Sequence, residues 1–271
     1  MNSPHLSFPR AAATAALLLG AFASLPSTRA QTPVVLDDFS TDKFSTNYVQ
    51  KLVPGGSGFF GTGGWVVSGG ELQPETADAS IGGYAAYVWT GNALQNVGDS
   101  FSIDLSVSAT GSDHNGGLSV WTSASTTFDR VVEPRLGYNG SYTFVGSDQN
   151  SLLWSESPSG GTISGPATLT VALSGRTATD STLTISLSDA NGTVGTVHDY
   201  TVLDYVGSFY VGPSAWQATG GNVAFDNLTF AAGATAVPEP ATYAAILGAL
   251  GLGLGLWCRS RGRTAVLEPI R

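Results

Sequence analysis

Residues 101–107 read Phe-Ser-Ile-Asp-Leu-Ser-Val, an apolar side chain at each odd position and a polar one at each even position. In an extended chain successive side chains point to opposite faces, so this order makes one apolar face and one wettable face. The same order returns at Leu169, Val171 and Leu173 and again at Leu183, Ile185 and Leu187, with Thr, Ala or Ser between them. Such runs predict antiparallel sheets packed apolar face to apolar face, an all-β antiparallel β-sandwich.

Working outward, residues 34–230 are short runs of this kind broken by Gly, Asn, Asp and Ser, with almost no segment of helical period. Gly69-Gly70 separates 65–68 from 71–74, and Asn191-Gly192 separates the Leu183 run from 193–198. Both pairs tolerate the positive φ of two-residue hairpins. Roughly a dozen runs, with no repeat and no internal linker, predict one domain over 31–231.

The chain has 271 residues, of which 11% are charged, and a formal net charge of −9. The imbalance sits in the middle: residues 31–236 hold 18 acidic and five basic side chains, a net charge of −13. Binding to phosphate needs clustered Lys and Arg, so this domain has no nucleic acid or anionic lipid as its partner.

The two ends differ from the middle. His5 and Arg10 precede an apolar run over 11–25, then comes Ser27-Thr28-Arg29-Ala30 before the polar Gln31. Charge, short apolar core and small residue, in that order, predict a signal peptide over 1–30, cut between Ala30 and Gln31. Residues 241–258 are uncharged and rich in Leu, Gly and Ala. As a helix they would span about 27 Å, close to the hydrocarbon thickness, so one C-terminal transmembrane helix is expected there. Arg259, Arg261 and Arg263 follow at once and would hold the tail 259–271 on the cytoplasmic side, leaving the domain outside. Gly251 and Gly255 have the spacing that lets a second helix approach.

Between domain and helix lies 232–240, which ends in Pro238-Glu239-Pro240. Two prolines keep this strip extended and remove backbone donors, which suits a segment read by a processing enzyme. A signal peptide at one end, with Pro-Glu-Pro, one apolar helix and an arginine cluster at the other, closely resembles the PEP-CTERM sorting signal of Gram-negative bacteria. The resemblance implies that the helix holds the exported protein in the inner membrane until an exosortase cuts near the motif. The body then goes to the cell surface or extracellular matrix. Pro238, Glu239 and Pro240 would be the recognition element and Arg259, Arg261 and Arg263 the stop-transfer charges. Tails of that family end soon after the arginines, whereas this one runs on to Arg271.

A looser resemblance spans the domain. An opening Asp37-Asp38-Phe39-Ser40, a hairpin Gly69-Gly70-x-Leu72 and a closing Phe225-Asp226-Asn227-Leu228 look like the concanavalin A-like, or laminin-G-like, jelly roll. In that fold the two terminal strands lie near one another.

Chemistry is sparse by comparison. After signal removal the histidines are His114 and His198, and Cys258 lies in the apolar helix, so no zinc site of nitrogen and sulfur ligands can be assembled. Neither histidine accompanies a Gly-x-Ser-x-Gly elbow, and both read as solvated polar residues. Glycoside hydrolysis needs two carboxylates about 5–9 Å apart. Glu71 and Glu75 are interrupted by Pro74, the Glu-x-Asp-x-x-Glu strand of concanavalin A-like glucanases is absent, and Glu133 reads as a salt-bridge partner of Arg135. The glycine-rich stretch 56–61 has no strand and helix around it and is a loop rather than a nucleotide site.

Two binding readings stay open beside their structural alternatives. Trp65, Trp89, Trp121, Trp154 and Trp216 supply faces that stack on sugars, but a sandwich core also needs large rings. At least three are expected in the core, with Trp154 and Trp216 the exposed pair. Asp37, Asp38 and Asp226 lie on strands expected to be neighbours and could hold calcium, or could instead satisfy turn donors. Asn139, Asn191 and Asn227 stand in the form of glycosylation acceptors. The resulting expectation is a non-enzymatic surface or matrix protein, structural or adhesive. Its rivals are a lectin-like module for exopolysaccharide and a polysaccharide hydrolase or lyase.

Overall fold

The structure is a computed structural model and describes residues 32–51, 65–74, 84–108, 114–127, 129–137, 140–146, 152–156, 166–189, 192–193, 197–216 and 222–233. The expected signal peptide, the Pro-Glu-Pro strip, the apolar helix and the arginine tail lie outside them. Among the described residues no helix is long and apolar enough to cross a membrane. The compact body runs over 31–233.

Sixteen strands and a single helical turn, Phe44–Asn47, make up that body among the described residues. The strands are β1 Val34–Asp37, β2 Tyr48–Gln50, β3 Trp65–Ser68, β4 Glu71–Pro74, β5 Tyr84–Trp89, β6 Ser100–Val107, β7 Asn115–Trp121 and β8 Arg130–Gly137. They continue with β9 Tyr142–Val145, β10 Leu152–Glu156, β11 Ala167–Arg176, β12 Ser181–Asp189, β13 Gly192–Thr193, β14 His198–Val202, β15 Tyr210–Trp216 and β16 Val223–Ala231. They form two antiparallel sheets. One runs β13-β12-β11-β6-β16-β4-β3, with β14 also on β12 and β1 also on β16; the other runs β10-β9-β8-β7-β15-β5-β2.

The alternating runs became the centre of the first sheet. Leu105 pairs with Ala167, Ile103 with Leu169 and Phe101 with Val171, while Leu169, Val171 and Leu173 face Leu187, Ile185 and Leu183 on β12. All of these are buried. They meet Leu118, Val120, Val132, Leu136, Phe144 and Val211 from the second sheet in one core cluster. The sandwich thus follows from period-two patterning that removes one face of each sheet from water.

Turn chemistry holds at the first hairpin: Gly69 and Gly70 have φ of 68° and 87° and join β3 to β4, a backbone that side chains with a Cβ rarely adopt. At the second, Gly192 is the first residue of β13 and pairs with Asp189 on β12, so it stands in a strand and not at the turn expected of Asn191-Gly192; Asn191 lies outside the described residues. The terminal strands are neighbours, with Val34 opposite Phe230. The last described residue, Gly233, is part of the body: its N–H donates to buried Asp99 at 2.7 Å.

Candidate functional site

The face of the second sheet that points away from the core is polar. Gly117 lies opposite both Arg135 on β8 and Ser214 on β15, and Ser214 lies opposite Ala86 on β5. One residue in two from each strand therefore builds this face: Ser119 and Trp121, Glu133 and Arg135, Ser214 and Trp216, Ala86 and Val88. Trp121, Ala86 and Val88 form a second apolar cluster, against which Val49, Tyr210 and Trp216 pack.

Glu133 is its electrostatic centre, 0% exposed. Arg130 Nη1 and Arg135 Nη2 both donate to its Oε2, the latter at 2.8 Å, and Ser214 Oγ donates to its Oε1 at 2.7 Å. Burial pushes the carboxyl up, but the two guanidiniums and the Ser214 hydroxyl together outweigh it and hold Glu133 at about 2. A carboxylate this acidic carries no proton to give to a leaving group near neutral pH. It is the salt-bridge partner expected of it, joined by Arg130 as well as Arg135. Beside it Trp121 Nε1 donates to Ser119 Oγ at 2.8 Å, and Ser119 Oγ donates to the Gly212 carbonyl at 3.2 Å.

A second ion pair closes one end of the face. Lys51 Nζ donates to Asp129 at 2.6 Å and to the Ser123 and Thr127 carbonyls, and lies 4.7 Å from the centre of the Trp121 ring. Burial lowers Lys51 against the pull of Asp129. Burial raises Asp129, but bonds from Lys51, Thr122 and Ser123 prevail and hold it below the ordinary carboxylate range. At the other end Trp216 is half-buried, with the Arg135 guanidinium 5.4 Å from its ring centre. Trp216 is thus less buried than the sealed centre around Glu133.

The other candidates distribute as follows. Trp89 lies in the main core, Trp121 is buried in the second apolar cluster on the outward face, and Trp65 is half-buried against the main core. Trp154 lies on β10 opposite Phe144, away from Trp216 on β15, so the two expected sugar-stacking residues are not strand neighbours. His114, just before β7, is buried rather than solvated, its Nε2 2.6 Å from the Ser108 carbonyl. His198 packs edge-on to Phe144.

The three aspartates proposed for calcium have separate roles. Asp37 is buried and accepts from the Phe39 N–H, Lys43 Nζ and Tyr48 hydroxyl. Asp38 is exposed and caps Ser40. Asp226 accepts from the Asn227 N–H and faces Asp104 across the sheet. Among the described residues no three His, Cys, Asp or Glu side chains converge to hold a metal ion. Asn227 donates its side-chain amide to Asp104 at 3.1 Å.

Arg130, Ser119 and Ser214 were not legible as parts of one site. The signal that pointed toward them is Arg130-Val131-Val132-Glu133-Pro134-Arg135, three charges inside an apolar strand of a domain with few bases.

No protein-family model matches the chain, and no curated protein matches it. Solved structures resemble it in fold. The CBM2 module of the evolved Dit of Lactobacillus casei BL23 phage J-1 matches at 12% identity over 76% of this chain and 99% of that one, with a TM-score of 0.53. The exoplasmic/lumenal domain of VIP36 in its Ca2+-bound form matches at 10% identity over 77% and 93%, TM-score 0.45. A GlcNAcα1-4Gal-releasing endo-β-galactosidase from Clostridium perfringens matches at 10% identity over 75% and 61%, TM-score 0.44. These likenesses concern the sandwich alone.

Proposed function

We propose that this chain is an exported surface protein whose sandwich holds polysaccharide without cleaving it. Export and release rest on the segment order read from the sequence: signal peptide over 1–30, body, Pro238-Glu239-Pro240, apolar helix and arginines. An exosortase-like enzyme takes the strip, and the body passes to the cell surface or exopolysaccharide matrix. The polysaccharide half rests on one observation: the half-buried Trp216 ring at the end of this sheet face, beside the Arg135 guanidinium and packed against the cluster of Ala86, Val88 and Trp121. A rigid aromatic beside hydrogen-bonding groups stacks on the C–H face of a sugar while its neighbours meet the hydroxyls.

The test is co-sedimentation of the full chain, in detergent, with cellulose, chitin and a purified bacterial exopolysaccharide. At least one should retain the wild type, Trp216→Ala should weaken retention roughly tenfold, and Trp216→Phe should keep most of it. Retention unchanged in Trp216→Ala, or release of reducing ends, would remove this reading.

A further inference from the structure

A second concavity lies away from the Trp216 rim, on the segment joining β5 to β6. It measures about 260 Å³ and is lined by Asn92, Gln95, Asn96, Asp99, Phe230 and Ala232 among others. That is below the roughly 300 Å³ at which sites for drug-sized ligands begin, and it suits one small ring.

The segment is rigid. Leu94 and Phe209 exchange backbone hydrogen bonds at 2.8 and 3.1 Å, and the Gly98 N–H donates to the Leu173 carbonyl at 2.7 Å. Leu94 is fully buried. Asp99, the acid of the bowl, is consumed by the frame: its Oδ2 accepts from the backbone N–H groups of Gln95 and Asn96 at 2.8 and 2.7 Å, and its Oδ1 from that of Gly233 at 2.7 Å. Among the described residues no lysine or arginine lines it. What the bowl offers a ligand is therefore neutral: three side-chain amides and a half-buried phenyl ring whose other side packs on Phe101, centroids 5.0 Å apart.

Each amide presents both a donor and an acceptor. Asn92 Oδ1 accepts from the Trp89 Nε1–H at 3.2 Å, so its NH₂ is the part of this amide not used in that bond. Three side-chain amides on a preorganised loop, with the Phe230 ring also lining the bowl, match the hydroxyls and C–H face of an uncharged sugar and cost little ordering on binding.

We propose that this bowl is a second carbohydrate site, specific for a neutral hexose residue and independent of the Trp216 rim. It rests on the reading above only for the choice of polysaccharide as the natural ligand. The full chain in detergent is followed by hydrogen–deuterium exchange with maltotriose and with cellotriose up to about 50 mM, which fills even a roughly millimolar site. One of them should protect residues 90–99 and 230–233. Gln95→Ala/Asn96→Ala, two exposed side chains whose backbone N–H bonds to Asp99 remain while the 3.5 Å bond from the Asn96 amide to Asp99 is lost, should weaken that protection about tenfold or more. Trp216→Ala should leave it intact, even in an outcome where polysaccharide retention by the rim fails. No protection at either segment in the wild type, or equal protection in the double variant, would overturn the assignment.

Discussion

Asp104 on β6 and Asp226 on β16 stand directly opposite one another across the first sheet. Like charges in this position work against pairing, by roughly half a kcal/mol at a partly exposed site. Burial raises Asp226 first, and the charges of Asp104, Glu71 and Asp38 add to the rise against the Asn227 N–H. Asp104 has its own partners, Thr168 at 2.6 Å and the Asn227 amide. Since Asp226 binds its proton more tightly folded than unfolded, its ionisation lowers stability, and stability returns as pH falls through its raised pKa. Asp226→Asn should raise Tm slightly at pH 7 and lose that acid-side gain. Thermal melts of both proteins between pH 4 and 8 test it; an Asn variant less stable at pH 7 would contradict it.

Glu133 has the opposite sign. Its folded value of about 2 lies below the ordinary 4.5, so its contribution is present above the unfolded value and lost as pH falls from there toward 2. Asp129 acts in the same direction. Glu133→Gln leaves two buried guanidiniums facing a neutral amide and should cost about 3–5 kcal/mol near neutral pH. The difference from wild type should shrink as pH approaches 3. Urea unfolding across that range decides it, and a constant difference would mean that the charge on Glu133 is not what stabilises.

Gly233 belongs to the body because a Cβ there would run into the Val97 carbonyl oxygen and the Asp99 nitrogen. Gly233→Ala should destabilise by about 1–3 kcal/mol and speed amide exchange over 94–99, since the bond to Asp99 cannot form unstrained. Unchanged exchange there would show that the clamp is not rigid.

The architecture was largely legible because alternation over Phe101, Leu169 and Leu183 records burial directly, and those strands became adjacent in one sheet. Pairing of β1 with β16 followed the resemblance to a jelly roll. The place of β15 in the second sheet was not legible, because it meets β7 and β5 over long separations and the outward residues of β7, β8 and β15 are Gly, Ser and charge rather than a pattern. For that reason Glu133 could be paired with Arg135, two residues away, while Ser214 remained hidden. His114 was expected in water because a lone polar residue beside glycines looks like a turn; the Ser108 carbonyl that accommodates it comes from the preceding strand's end.

The boundary at Gly233 also makes the account of export specific. A cut near Pro238-Glu239-Pro240 leaves every described strand and the Asp99–Gly233 bond in place, so the body should stay folded when released. Intact mass spectrometry of the protein recovered from the cell surface measures this directly. The expected N-terminus is Gln31 and the expected C-terminus lies between residues 237 and 240. Surface protein that still ends at Arg271, or that begins at Met1, would contradict it.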